Sequence, residues 1–254
     1  MRNRALVRTA FTAARRRALP AVFGLLGVAA CSSPPPAPPP SPAPAPPASA
    51  PDAETAAVRA SGPVFPKGRP GMAEAAATFD KNGVQPGERL PPLSLVDLDG
   101  KPVDLAARTH GKPLVLVTCS LTCNVARRQQ ATVARLRERA GDSAHVLMVY
   151  TIDAHPAVDP CPYTGDLWVP PANEGDGVLV RQPTDLAGRL ALARRYAAEW
   201  AAGTPVVVDT MDDASWHVLG RAPNLGLIVD RAGVVVARCG WFDIARIEEA
   251  LQGR

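Results

Sequence analysis

Residues 114–117 are continuously apolar, the pattern of a strand covered on both faces rather than one with a wet side. At Cys123 a three- and four-residue spacing takes over. Ala126, Val133, Leu136 and Ala140 fall on one stripe, which predicts a helix from Cys123 that closes at Gly141. Residues 145–152 and 205–209 read as two further buried strands. Between them, Leu186, Leu190, Ala193, Ala197 and Trp200 mark one face of a second long helix, capped by Thr184 and ended by Gly203 and Pro205. Upstream, residues 87–105 read as two short strands around an Asp99-Gly100 turn. Downstream, residues 225–229 and 234–237 flank a second turn, and residues 243–251 form the last helix. Residues 153–183 are a loop rich in Pro, Gly and Asp, too long for a plain connector.

Two strand–helix units followed by a hairpin and a helix predict an α/β fold, a thioredoxin-like three-layer α/β/α sandwich with a mixed central sheet and an N-terminal β-hairpin. In such a fold Pro223, just ahead of the hairpin, is expected as a cis-proline beside the reactive cysteine.

Charge changes the picture at one end only. The 254 residues hold 28 Lys and Arg against 24 Asp and Glu. Six arginines (2, 4, 8, 15, 16 and 17) lie in the first 30 residues, which hold no acid, so the remainder carries 22 basic and 24 acidic side chains. No basic stripe is left, which argues against nucleic-acid binding.

Residues 18–30 are apolar but shorter than the ~20 residues a membrane span needs. They end Leu26-Gly27-Val28-Ala29-Ala30-Cys31, which resembles a bacterial lipoprotein signal. That resemblance implies a signal peptide over 1–30, lipid on Cys31, and, through Ser32, a lipid anchor in the outer membrane facing the periplasm. Arg15-Arg16-Arg17 resembles a twin-arginine signal. Ten of the 28 prolines lie between positions 34 and 47, so 31–52 reads as an extended linker of ~3 Å per residue. Residues 53–86 form an N-terminal extension with a short helix at 72–79 and no assigned task. The folded domain is 87–254.

The chemistry gathers at Cys123. A cysteine at a helix start faces unpaired amides and the positive end of the dipole, so a thiolate is expected there, aided by Arg127 and Arg128. Cys119, four residues earlier, is a candidate resolving thiol. His155 follows a strand end and can relay a proton, with Asp153 to orient it or to cap the next turn. In an exported protein the four cysteines beyond Cys31 allow three pairings, of which Cys119–Cys123 with Cys161–Cys239 is preferred, while the second bridge stays open. Tyr163 and Trp168 could line a pocket, whereas His110, His145 and His217 read as ordinary loop or strand-edge residues.

Several blocks resemble the iodothyronine deiodinases and their bacterial relatives: SLVDLDGKPVDL from Ser94, KPLVL from Lys112, VYTIDAH from Val149 and PVVVDTM from Pro205. The resemblance implies that Cys123 stands at the catalytic selenocysteine, which many bacterial relatives replace with cysteine. It places Asp153-Ala154-His155 at the family's Glu-Ala-His, whose acid and histidine serve substrate binding and proton supply. The chain departs at Asn124, where the family has proline, at Cys119, where it has glycine, and at Asn224-Leu225, where it has Glu-Arg.

The expected activity is a thiol-dependent oxidoreductase without a bound cofactor, reset by an external thiol reductant or a reducing partner protein. Its substrate would be a small-molecule or protein thiol, disulfide or aryl halide. Two alternatives stay open. Ser120-Leu121-Thr122-Cys123 matches the Thr/Ser-x-x-Cys of peroxiredoxin-like peroxidases, and Cys119-x-x-x-Cys123 has the spacing of Sco-type copper-binding modules.

Overall fold

The computed structural model describes residues 72–109 and 111–252. The expected signal peptide, the proline-rich linker, Cys31 and His110 lie outside the described residues. In chain order the elements are α1 (Met72–Ala76), β1 (Leu95–Val96), α2 (Leu105–Thr109), β2 (Leu114–Cys119), α3 (Asn124–Ala140), β3 (His145–Tyr150), α4 (Pro171–Gly175), α5 (Leu186–Glu199), β4 (Val206–Asp209), α6 (Ala214–Leu219), β5 (Gly226–Val229), β6 (Val235–Cys239) and α7 (Ile244–Gln252).

One mixed sheet runs β1-β4-β3-β2-β5-β6. β2, β3 and β4 are parallel, and β1, β5 and β6 are antiparallel to their neighbours. This is the thioredoxin-like order, with β2 at the centre and Cys123 just beyond its C-terminal end. The unbroken apolar run of β2 follows from that placement, because both of its faces are covered. Leu114 and Leu116 pack with Leu147, Leu219 and Leu227 on one side. Val115, Val117 and Cys119 pack with Val133, Leu136 and Tyr196 on the other. The helices α3, α5 and α7 cover the second face, while α2, α6 and the chain around Phe79, Leu90 and Leu93 cover the first.

The expected N-terminal hairpin is present in shortened form. Asp97 N donates to Lys101 O at 2.8 Å and Val103 N to Leu95 O at 2.9 Å. Asp97 Oδ1 accepts from the amides of Asp99 and Lys101, both at 2.9 Å, closing the turn. The strand itself is only two residues long and pairs with the sheet edge β4.

Two expectations need correction. The cap of α5 is Asp185, whose Oδ1 accepts from Gly188 N at 2.7 Å, rather than Thr184. A carboxylate one residue nearer the helix meets the free amides directly. Pro223 is trans, since no described peptide bond is cis. Around this trans bond Thr118, at the end of β2, holds both sides of the turn: its hydroxyl donates to Ala222 O at 2.9 Å and accepts from Leu225 N at 2.7 Å.

Candidate active site

Cys123 is the N-cap of α3, in extended backbone conformation, and its Sγ accepts from Ala126 N at 3.4 Å. The sequence expectation of a sulfur at the start of a helix is met. The expectation of a resting thiolate is reversed. Cys123 is 1% exposed, and burial pushes its thiol up to about 11 against the pull of the Ala126 and Val125 amides and the Arg127 charge. Removing a sulfur anion from water costs more here than the helix end returns.

The loop that carries Cys123 is wired through Thr122. Thr122 N and Thr122 Oγ1 both donate to Asp153 Oδ1 at 3.0 Å. The same hydroxyl accepts from His155 N at 2.9 Å, and Thr122 O accepts from Asn173 Nδ2 at 2.9 Å. Asp153 Oδ2 accepts from the Tyr150 hydroxyl at 2.8 Å, whose oxygen in turn accepts from Leu121 N at 3.1 Å. Asp153 therefore spends its carboxylate on Thr122 and Tyr150 and acts on residue 155 through the threonine. Burial raises its carboxyl above the ordinary range, while the bonds from Tyr150 and Thr122 hold it down.

Arg127 and Arg128 part company. Arg128 is exposed. Arg127 is buried and reaches the long loop: its Nη2 meets Asn173 Oδ1 at 3.0 Å and Asp176 Oδ2 at 2.7 Å, and its Nη1 donates to Leu121 O. Its guanidinium also lies over the Trp200 ring, 5.2 Å from the centroid. The loop 153–183 is thus a fixed wall beside Cys123. Its own base is closed by Gln182, which accepts from Asp153 N at 3.0 Å and donates to Asp153 O at 3.2 Å.

His155 is 4% exposed. Its ring meets Trp168 edge to face, 4.2 Å between centroids. Tyr163 packs against the cluster of Cys161 and Trp168, and its hydroxyl accepts from Trp216 Nε1 at 3.3 Å. The site is lined by rings.

Neither expected disulfide is formed. Cys119, Cys123, Cys161 and Cys239 are all free and buried. Cys119 points into the layer beneath α5, where it bonds with the Tyr196 hydroxyl, and burial drives its thiol well above the usual value. Cys161 packs with Trp168, whereas Cys239 belongs to the layer under α7, so the second expected pair is split between clusters.

Thr122, Tyr150 and Asn173 position the site without having been singled out from the sequence. Tyr150 and Thr122 left a trace there only as members of longer runs, the strand 145–152 and Ser120-Leu121-Thr122-Cys123, and Asn173 left none. Among the described residues no group of three or more His, Cys, Asp or Glu side chains could hold a metal ion. A cleft of about 770 Å³ opens at the other end of the sheet, between Pro91, Leu93, Leu105 and Val229, away from Cys123.

Solved structures similar to the chain include the exposed lipoprotein thioredoxin of Streptococcus pneumoniae (18% identity, TM-score 0.40, covering 64% of this chain and 98% of that one). A thiol:disulfide interchange protein of Chlorobium tepidum is similar at 15% identity and TM-score 0.45, covering 67% of this chain and 98% of that one. A secreted disulfide oxidoreductase of Mycobacterium tuberculosis is similar at 11% identity and TM-score 0.40, covering 64% and 96%. No curated protein matches the chain. Residues 75–240, well over half of the sequence and all of β1 to β6, match the family model for iodothyronine deiodinase. The chain belongs to the iodothyronine deiodinase family.

Proposed function

We propose that this domain is a thiol oxidoreductase in which Cys123 is the attacking sulfur. The observation that carries this reading is the seat of Cys123 beyond the central parallel strand, as the cap of a 17-residue helix, in a loop held from four sides through Thr122. Such a seat orients the sulfur towards the helix amides, which stabilise an anion once the thiol is reached by solvent and substrate. With the site closed, the thiol stays protonated and unreactive.

The reaction that fits is exchange at a soft electrophile. Cys123 loses its proton, attacks one sulfur of a disulfide and forms a mixed disulfide, while the other sulfur leaves as a thiolate and takes up a proton. An external thiolate then attacks the substrate's sulfur of that bond, so that Cys123 leaves as a thiolate, takes up a proton, and a new disulfide between thiol and substrate is released. His155 is the group proposed to handle the proton; Thr122 holds its backbone and Trp168 meets its ring. The family name points to an aryl iodide as a second electrophile. There the sulfur would take the iodine, the ring carbon would take the proton, and two equivalents of external thiol would return iodide and free cysteine. Cys119, sealed under Tyr196, is read as a core thiol rather than the reset group. The signal-like residues 1–30 and Cys31 favour a lipid-anchored protein of the bacterial envelope.

The test is capture. Full-length protein is incubated with a small aromatic disulfide, quenched in acid and peptide-mapped without reduction. The mixed disulfide is expected on Cys123; its appearance on Cys119, Cys161 or Cys239, with Cys123 unmodified, would contradict the assignment.

A further inference from the structure

The loop that enters α3 has each of its carbonyls occupied. Ser120 O accepts from Cys123 N at 3.2 Å, and Cys123 O accepts from Arg127 N at 3.1 Å. Between them, Leu121 O takes the Nη1 of Arg127, and Thr122 O takes the Asn173 amide at 2.9 Å. Asn173 is itself held by the same guanidinium, through its Oδ1 at 3.0 Å. Arg127 is thus tied to the backbone of both Leu121 and Cys123. Helix geometry puts it there: residues four apart share a face, and the later side chain leans back over the turn before it. From position 127 that turn begins at the capping sulfur.

The charge of this guanidinium is shared with the wall. Nη2 pairs with Asp176 Oδ2 at 2.7 Å, and the two partners differ in exposure: the Arg127 side chain is 1% exposed, the Asp176 side chain 38%. Nε is buried and finds no hydrogen-bond partner among the described residues. A buried donor left open carries a free-energy cost that an acceptor would recover. Around the pair, α5 brings Arg195, whose Nη2 donates to Gly177 O at 3.0 Å, and Glu199, which the Arg195 Nε engages at 3.0 Å. Burial and the Asp153 charge push the Cys123 thiol up, while the Arg127 charge pulls it down. Cys119, on the same side of the sheet, stays a neutral buried thiol.

We infer that Arg127 is a positioning residue for the thiol step and that the exposed Asp176 carboxylate restrains it: the guanidinium is shared between Asp176 and the sulfur anion formed at Cys123, so the outer carboxylate tunes the inner sulfur. The inference deepens the thiol oxidoreductase reading, on which its meaning for turnover rests. The signs follow from charge. Asp176 offsets part of the Arg127 field, so removing the carboxylate favours the anion at Cys123, and removing Arg127 disfavours it. A plain structural clamp predicts otherwise. Loosening either partner would then open the wall, and both changes would expose the sulfur.

The opposite signs make the test. Full-length wild type, Asp176→Asn, Arg127→Met and Arg127→Lys are alkylated with iodoacetamide across a pH series, and Cys123 is followed by mass spectrometry. Asparagine keeps an oxygen for Nη2 and removes only the charge. The Cys123 rate is expected to rise at least about threefold in Asp176→Asn and to fall by at least about as much in Arg127→Met. Arg127→Lys keeps the charge and should stay within about twofold of wild type. Faster labelling in both Asp176→Asn and Arg127→Met overturns the inference in favour of the clamp. A lysine variant as slow as the methionine one also overturns it, as does an Asp176→Asn rate equal to wild type. Should the methionine protein fail to fold, amide exchange over residues 121–127 of Asp176→Asn decides. Faster labelling with unchanged exchange supports charge sharing, and faster labelling with faster exchange overturns it. Disulfide capture is scored separately: if the rates shift as expected but no mixed disulfide forms on Cys123, the charge sharing stands and the proposed activity falls.

Discussion

Cys123→Ser is expected to reduce turnover of a disulfide substrate by at least about 10³-fold while leaving the fold in place. The two halves of this expectation have separate causes. Serine is itself a favoured N-cap, and its Oγ can take the Ala126 amide that the sulfur now accepts, so stability should change by less than about 1 kcal/mol. A hydroxyl cannot form or exchange a disulfide, so the chemistry is lost even though the helix start is kept. Cys119→Ala should retain most activity if an external thiol completes the cycle. A steady-state assay with thermal unfolding of each variant decides between these roles. Loss of activity in Cys119→Ala together with full activity in Cys123→Ser would reverse the assignment.

Asp153→Ala should be the most damaging of the buried polar substitutions, at about 3 kcal/mol or more. The carboxylate receives Thr122 N, Thr122 Oγ1 and the Tyr150 hydroxyl, and alanine strands all three donors where water is scarce. Each stranded donor costs roughly 1–3 kcal/mol, set against relief of the burial that already raises the carboxyl. Asp153→Asn distinguishes hydrogen bonding from charge. Its Oδ1 can still accept from Thr122, and its amide can donate to the tyrosine oxygen, so a loss of only about 1 kcal/mol is expected. Denaturant unfolding measures both. If alanine costs under 1 kcal/mol, or asparagine costs as much as alanine, Thr122 is not held as described.

The architecture was readable because β2, β3 and β4 are buried on both faces and announce themselves as unbroken apolar runs, and because the stripe from Ala126 to Ala140 has a clear period. Cys123 was readable for the same reason, lying where one pattern gives way to the other. What escaped was set by long-range packing. Whether a capping sulfur is ionised depends on how much of it is buried, and that depends on the distant loop 153–183, which carries no periodicity. Asn173 donates to Thr122 across 51 positions, a pairing that local sequence does not encode. The turn at Pro223 escaped likewise, since Thr118 and Ala222 meet only once β2 and the turn before β5 are assembled.

The central claim is that Cys123 is the reactive sulfur and that closure, not an absence of stabilising groups, keeps it protonated. The pH dependence of its alkylation in the full-length protein, read peptide by peptide, tests this directly. The raised value means the thiol form prevails through the neutral range, so the Cys123 rate should climb about tenfold per pH unit towards a midpoint near 11. A wild-type midpoint at or below the ~8.5 of a free cysteine would contradict the closed site, and a Cys123 rate that no change of pH alters would contradict its role as the attacking group.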